Sequence, residues 1–481
     1  MATDKTEIES QIRPGSDDDL NLYLNPATAR FLKNVSKAIS QDPGLPRPNP
    51  TVSAWQVPPH PSLASMRSRD LPECTDYAVI GSGITGCGVT KALLEHPSTA
   101  NSHVTVLEAR TFVSGATGRN GGHLVTASGH TFGPLAEQHG TEAAREITRF
   151  SIMNIDHLMK LVREFDPALQ KECQIRDVLK KWNIKNASGA VEHEAGAIWP
   201  YRLLTGIYQR LLDKYSDRLN IETNTPVTRV EFSEGLYPYA ITTPRGSIQA
   251  KKVIHCTNGH AAHLLPNLAG GLYPFRGTMS VQKPGPLFPK YKGTRSWSLS
   301  HKSSLDAETG FFDTGLYYLQ QNALTGSIWI GNETAYMKDI LTADDTYVPE
   351  EARHALSTVL PRLFLNGWGS EAVSEIESIW SGIQGHTADG LPIVGKIPES
   401  LTGTIGDDGQ WIAAGFNGYG MDKCWLTGEA LVKMILGEDV SDWFPRAFLV
   451  TEERLQTKLT ADQTLLKFAK IALPGGAEGK L

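Results

Sequence analysis

The stretch Tyr77-Ala-Val-Ile-Gly-Ser-Gly-Ile-Thr-Gly-Cys-Gly88 decides how this chain is read. A short apolar run ends in Gly81-x-Gly83-x-x-Gly86, and small residues with helical character follow over 89–94. A second apolar run, Val104-Thr-Val-Leu107, leads into Glu108, twenty-two residues beyond Gly86. Strand, glycine turn, helix, strand and acid in that order predict a dinucleotide-binding unit. In it Gly81 makes the tight turn, Gly83 lets the backbone approach a pyrophosphate, and Gly86 lets helix pack close on strand. Ser82 and Thr85 fall inside the same turn, and Glu108 is placed to take a ribose hydroxyl. The first N–H groups of the helix and its positive dipole end suit phosphate oxygens. A GxGxxG triplet alone fits a tight turn in any α/β protein; the flanking strand, helix and distal acid make it a dinucleotide site.

Further motifs bear on which dinucleotide. After Glu108-Ala109-Arg110 comes Ser114-Gly-Ala-Thr-Gly-Arg-Asn-Gly-Gly-His123, small and turn-forming residues with one cation and one imidazole. Such a loop lets backbone amides lie against a flat ligand. Ala116, Thr117, Arg119, Asn120, Gly121, Gly122 and His123 are its candidate contacts, with Ala109 and Arg110 just ahead of it. Near the C-terminus, Trp411-Ile-Ala-Ala-Gly415 reads as a buried strand running into Gly415-Phe-Asn-Gly-Tyr-Gly-Met421, with a helix predicted over 423–436. This second helix start behind a glycine turn suits a ligand atom that becomes negative. A reduced flavin carries that charge at the N1/C2 carbonyl end of its ring. Gly415, Asn417, Gly418, Tyr419, Gly420 and Met421 are the candidates there.

On these motifs the chain resembles FAD-dependent oxidoreductases of the D-amino-acid oxidase / glycine-sarcosine oxidase superfamily. Within it, the chain is similar to the branch carrying Gly115-Ala-Thr-Gly-Arg-Asn-Gly-Gly-His123, common among fungal enzymes. The resemblance covers about 77–437 and includes three further segments. These are Val253-Ile-His-Cys-Thr257-Asn258-Gly259, Tyr273-Pro-Phe-Arg276-Gly277 and Asp389-Gly-Leu-Pro-Ile-Val-Gly395. It implies FAD, with Val227 backbone atoms meeting the adenine and Thr257, Asn258 and Gly259 forming a second cofactor-side loop. The implied fold class is α/β, a Rossmann-type, discontinuous FAD-binding domain with an α+β substrate domain built on an antiparallel sheet. We expect residues 76–135, 196–270 and 376–440 in the former and 136–195 and 271–375 in the latter. Residues 1–75 are expected to form an extended arm, because prolines between Asp42 and Pro61 oppose helix and central strand. A C-terminal helical tail is expected over 441–481.

The resemblance also implies the chemistry, a hydride moved from a substrate carbon, usually one bearing nitrogen, to flavin N5. Candidates for the substrate face are His386, Tyr419, Arg276, Tyr318, Tyr317, Trp380 and His123. His386 precedes the C-terminal loop and reads equally as a base or donor and as a histidine satisfied in a turn. Tyr419 reads equally as catalysis and packing. Arg276 could clamp a substrate carboxylate bidentately, although a structural arginine at the junction is the stronger reading. Arg119 reads as neutralising pyrophosphate or flavin charge. Relatives that tether flavin covalently do so through a histidine, where Arg119 stands here, or a cysteine, near Gly382 here. FAD is therefore expected to be noncovalent, with His123 as the remaining alternative. The lysine that sarcosine oxidases use toward oxygen falls near Trp329, leaving oxidase and dehydrogenase roles both open.

Composition fits such an enzyme. The 481 residues imply more than one domain, and 40% hydrophobic with 20% charged residues describes an ordinary globular chain. A net charge of −6 argues against nucleic acid or an anionic membrane as partner. Cys74, Cys87, Cys173, Cys256 and Cys424 are scattered without CxxC spacing, indicating neither a disulfide framework nor a zinc site. The polar, acidic start and the absence of a long apolar run predict a cytoplasmic protein. The terminal Gly-Lys-Leu481 is one residue from a peroxisomal address, a weaker alternative. The expected partners are a small-molecule substrate and oxygen or another electron acceptor; no feature specifies an oligomeric state. Three functions compete. The leader oxidises an amine, imino acid or related C–N centre. The second is a tailoring enzyme of fungal secondary metabolism acting on a C–C or C–H position of a larger scaffold. The third is a flavin-binding protein without turnover.

Overall fold

Tyr77, Ala78, Val79 and Ile80 are all buried, because the strand that carries them, Cys74–Ile80, is covered on both faces. Its side chains alternate between two apolar layers. Tyr77 and Val79 join the helices Ile84–Glu95, Pro200–Tyr215 and Cys424–Ile435, while Ala78 and Ile80 meet Tyr239, Ile241 and Ile248 of an antiparallel hairpin. This computed structural model describes residues 25–126, 128–165, 183–185 and 195–472. Cys173, the first 24 residues of the arm, most of 166–194 and the terminal Gly-Lys-Leu481 lie outside the described residues.

Two main sheets organise the chain. The first has strand order Ile393–Lys396, Gln410–Ala414, Gly246–His255, Cys74–Ile80, Val104–Leu107, Leu219–Glu222, parallel except at the Ile393–Lys396 edge. Val79 lies opposite Val106 on one side and Ile254 on the other, so the glycine turn after Ile80 opens at the carboxyl ends of the central strands. The helices behind and ahead of the two glycine loops touch at Gly88 and Gly428. A Cβ at Gly88 would sit 2.8 Å from the Trp425 carbonyl oxygen, so only glycine permits that approach. The second sheet is antiparallel, in the order Ser296–Ser300, Leu316–Gln321, Ile328–Asn332, Leu272–Gln282, Ile376–Thr387. The chain is thus a mixed α/β protein with one largely parallel sheet and a separate antiparallel one. Among the described residues no helix is long and apolar enough to cross a membrane.

Two expected boundaries are corrected. Ile376–Thr387 pairs with Leu272–Gln282 along almost its whole length, so the segment 376–440 begins as a strand of the second sheet. Strand pairing at a separation of about a hundred residues leaves no local trace in sequence. The arm is not extended throughout, since Pro26–Ser40 is a helix. Asn25 Oδ1 caps it by accepting from Thr28 N at 2.8 Å, and Pro26 occupies its first turn, a signal present in the sequence. Its buried stripe, Phe31, Leu32, Val35 and Ile39, packs on Phe468, Ala469 and Ile471 of the C-terminal helix Ala461–Ala472. The helical tail expected over 441–481 holds two α-helices among the described residues, Glu452–Thr457 and Ala461–Ala472.

Beyond the helix the arm runs beneath the 114–123 loop. Trp55 stacks on Trp329 with ring centroids 3.7 Å apart, and its indole N–H donates to the Asn120 carbonyl at 2.5 Å. Trp199 closes the cluster by donating to the Trp55 carbonyl. Trp55→Ala is expected to cost about 3–5 kcal/mol of unfolding free energy in a denaturant titration. A loss below about 1 kcal/mol would show the arm to be a dispensable strap.

Candidate active site

A cavity of about 370 Å³ runs from the first glycine turn to the antiparallel sheet. At its first end the helix Ile84–Glu95 begins at Gly83, which supplies no side-chain cap, so its early N–H groups face the cavity with little competition. Thr117 Oγ1 accepts from Ile84 N at 3.0 Å. Glu108 is fixed on the adjacent strand end. One carboxylate oxygen accepts from Ser82 N at 3.1 Å and Ser82 Oγ at 2.7 Å, the other from Arg110 N at 3.1 Å. Gly81, Ser82, Gly83, Thr85, Glu108 and Ala109 line this end, as do Val227, Thr257, Asn258 and Gly259. Gly86 and Gly415 do not reach the cavity; they shape the turns around it. Asn258 Oδ1 accepts from Gly415 N at 3.1 Å and Phe416 N at 3.4 Å, tying the second loop to the C-terminal one.

The 114–123 loop is held from below through its carbonyls. Trp380 Nε1 donates to Arg119 O at 2.8 Å, Trp55 Nε1 to Asn120 O, and Gln320 Nε2 to Gly121 O at 3.0 Å. A peptide N–H points opposite its carbonyl, so the N–H groups of Asn120 and Gly121 turn to the other side. Asn120 Oδ1 accepts from Gly122 N. Ala116, Thr117, Arg119, Asn120, Gly121, Gly122 and His123 all border the cavity. The guanidinium of Arg119 is not available to a phosphate. It donates to Ser114 O at 2.8 Å, Ser381 O at 2.7 Å and Thr51 O at 2.8 Å, and burial lowers its pKa to about 10. Arg110 is spent likewise on Asp345, at 2.9 and 3.1 Å, and on Ser114 O. Both arginines are rivets between loop, arm and second sheet, and the reading of Arg119 as a neutraliser of cofactor charge is corrected.

At the other end Met279, Ser298, Leu316, Tyr318 and Gln384 surround Glu333, a carboxylate that sequence reading passed over. Tyr318 Oη donates to Glu333 Oε1 at 3.2 Å and Gln384 Nε2 donates to the same oxygen at 3.0 Å. Burial pushes the Glu333 carboxyl up to about 7, against the lowering effect of these donors. His386 extends the chain, its Nε2 donating to Gln384 Oε1 at 2.8 Å. Its ring stacks on Phe275 at 4.3 Å, and burial, with Lys467 beyond, holds it well below the usual histidine range and therefore neutral. Tyr419 closes the same end, its hydroxyl pushed up to about 12 by burial and by Glu333. Gly418, Asn417, Gly420 and Met421 border it. Burial holds His123 neutral, at about 4, and its Nε2 has no hydrogen-bond partner.

Three candidates are not brought to the cavity. Arg276 donates to Asp344 O at 2.8 Å, pairs with Asp339 at 3.4 Å and lies over the Tyr347 ring. Phe275 and Gly277 line the cavity, and strand alternation sends the residue between them to the opposite face. Arg276 is a structural residue and not a substrate clamp. Tyr317 is turned away by the same alternation, between Leu316 and Tyr318, and stacks on His301. Trp380 is buried beneath Arg119.

The model of the DAO family, FAD dependent oxidoreductase, matches residues 76–434, most of the chain. The chain belongs to this family. It is an FAD-dependent oxidoreductase, and the cavity fits that cofactor in three respects: a helix start at Gly83 with no side-chain cap of its own, the acid Glu108 at the end of the adjacent strand, and two unpartnered buried polar atoms, Thr257 Oγ1 and His123 Nε2, in its lining residues. The fold is shared with glycine oxidase from Geobacillus kaustophilus, at 18% identity and a TM-score of 0.54, over 79% of this chain and 99% of that one. L-proline dehydrogenase from P. horikoshii is similar at 19% identity and a TM-score of 0.51, over 79% and 98% of the two chains. TDA3 of Saccharomyces cerevisiae, described as an oxidoreductase, is 33% identical over 90 residues; the match spans 18% of this chain and 17% of TDA3.

Proposed function

We propose that this family member oxidises an amine, imino acid or related C–N centre of a small molecule, with FAD held noncovalently and reoxidised by oxygen or another acceptor. The observation that carries the reading is the arrangement of the cavity itself. One end offers the glycine turn, helix start and Glu108 to a dinucleotide, and the other gathers Tyr318, Glu333, Gln384, His386 and Tyr419 around space for a second molecule. FAD, when bound, supplies the acceptor for a hydride and its two electrons. The protein's part is to bind, orient and exclude water. Neutral His386 fixes Gln384, and Gln384 and Tyr318 together fix one oxygen of Glu333. Tyr419 bounds the space from the C-terminal loop. Noncovalent attachment rests on the two positions where relatives tether flavin, Arg119 and Gly382, neither of which offers a nucleophile. Trp329, at the place of the oxygen-side lysine, is buried against Trp55, and no lysine lines the cavity among the described residues.

The test is the visible spectrum of the purified protein before and after acid precipitation, followed by anaerobic titration with amines and N-methyl amino acids. Flavin is expected in the supernatant, and the visible band of the oxidised flavin to bleach with a member of the panel. Flavin left in the pellet would point to a bond at His123. A yellow protein that nothing in the panel bleaches would favour oxidation of a C–C or C–H position in a larger scaffold.

A further inference from the structure

Glu333 lies between the strands Ile328–Asn332 and Thr334–Tyr336, with 8% of its surface exposed and its side chain on the cavity. A carboxylate taken out of water is costly unless its charge and lone pairs are compensated. Here the compensation is incomplete. Both good donors, Tyr318 and Gln384, reach Oε1, while Oε2 has only Thr314 Oγ1 at 3.5 Å. No Lys, Arg or His pairs with Glu333 among the described residues; buried Glu108 and Asp407 also lack such a pair, but each of their oxygens takes a good hydrogen bond, and several other buried acids are ion-paired. Asp345 has two arginines, Asp389 has Arg454, and Asp422 has Lys423. The groups that face Glu333 are the hydroxyls of Tyr318 and Tyr419, the neutral Thr314 and Gln384, and Asp313, which repels its charge. Its negative charge is left for something outside the protein.

The cavity is correspondingly poor in cations. Its only lysine or arginine lining residues, among those described, are Arg110 and Arg119, whose guanidinium groups are bound to Asp345 or to backbone carbonyls. His123 and His386 are neutral. A substrate carboxylate would find no positive partner at the Tyr318 end and would be repelled by Glu333. An ammonium would meet Glu333 Oε2, which has only the long contact with Thr314, beside Tyr318 and Tyr419.

We propose that Glu333 is the recognition residue of this cavity, holding the cationic nitrogen of an amine that carries no carboxylate beside it. The proposal rests on the amine-oxidising reading above and narrows its substrate class from any C–N centre to amines without a neighbouring carboxylate.

Three probes test it on the FAD-loaded protein, read by perturbation of the flavin visible spectrum under anaerobic conditions. Pyrrolidine and L-proline share a secondary amine and differ by the carboxylate; tetramethylammonium is a cation at every pH. Pyrrolidine is expected to bind at least about tenfold more tightly than L-proline, and tetramethylammonium to bind more tightly as pH rises through the ionisation of Glu333. Glu333→Gln should keep its flavin spectrum, lose about tenfold or more in affinity for tetramethylammonium, and show no such pH response. Tyr318→Phe removes a donor to the carboxylate, so the midpoint of the pH response should move up. L-Proline binding as tightly as pyrrolidine, or an unchanged pH response in Glu333→Gln, would overturn the assignment. In that case bleaching by N-methyl amino acids would leave amine oxidation standing. If no amine or amino acid binds or bleaches the flavin, the amine reading falls and takes this assignment with it.

Discussion

A Gly86→Ala protein is expected to purify without flavin colour. A Cβ placed on Gly86 lies 2.0 Å from the Gly81 carbonyl oxygen and 3.1 Å from its carbon, far inside van der Waals contact. Both atoms are backbone, so no rotamer change relieves the clash. Either the helix Ile84–Glu95 withdraws from the strand end, or the Gly81 peptide turns. Gly81 has φ +111° and its N–H donates to Leu107 O at 2.8 Å, so turning it breaks the link between the two strands that frame the nucleotide site. Forcing a methyl into such packing costs about 3 kcal/mol, which corresponds to roughly a hundredfold loss of FAD affinity if borne by the bound form. The ratio of flavin to protein absorbance and a fluorescence titration with FAD would measure it. Gly206→Ala is the matched control. Gly206 is exposed in the helix Pro200–Tyr215 with open space where its Cβ would go, so that variant should hold flavin and gain about 0.5–1 kcal/mol in stability. Full flavin content in Gly86→Ala would refute the role given to the first glycine turn.

Asp345→Ala is expected to destabilise the protein by about 3–5 kcal/mol, because it leaves buried guanidinium charge without its counter-ion. Asp345 is 2% exposed and takes two hydrogen bonds from Arg110 Nη1, with Arg119 Nε 3.6 Å away. The same residues clamp the cofactor loop to the arm and to the second sheet. Flavin affinity should therefore fall with stability, although Asp345 does not belong to the nucleotide motif. Asp345→Asn keeps a hydrogen-bond acceptor and removes the charge, so a smaller loss is expected. Urea unfolding of both variants at matched flavin saturation separates the two effects. A loss under about 1 kcal/mol for the alanine variant would mean that Arg110 and Arg119 find other partners and that the clamp is ornamental.

The legible parts of the fold are those with short-range causes. Gly81, Gly83, Gly86 and Glu108 were readable as a unit because turn, helix start and strand end follow one another within about thirty residues. The same holds for the 114–123 and 415–421 loops. Asn25 and Pro26 also announced a helix, but the prolines further on drew the whole arm toward an extended reading. At the substrate end the local signal fails. Arg276 suited a clamp by residue type, with a structural role the stronger reading, and only its place between Phe275 and Gly277 on a strand shows that it points to the opposite face. Glu333 is one of 52 acidic residues in the chain and has no motif around it. Its significance comes from the pairing of Tyr318 with Gly331 and from the long ladder that brings Gln384 alongside.

The amino-acid sequence by itself determined the family, the cofactor and the glycine loops that line the cavity, since each rests on residues whose spacing along the chain is their spacing in space. Only the tertiary structure decided which charges are spent and which remain. Arg110, Arg119 and Arg276 are neutralised by carboxylates between 63 and 235 residues away, whereas Glu333 is left without a counter-ion. Whether a buried charge is paired depends on sheet register and domain packing, and those are set by contacts that no local stretch of sequence contains.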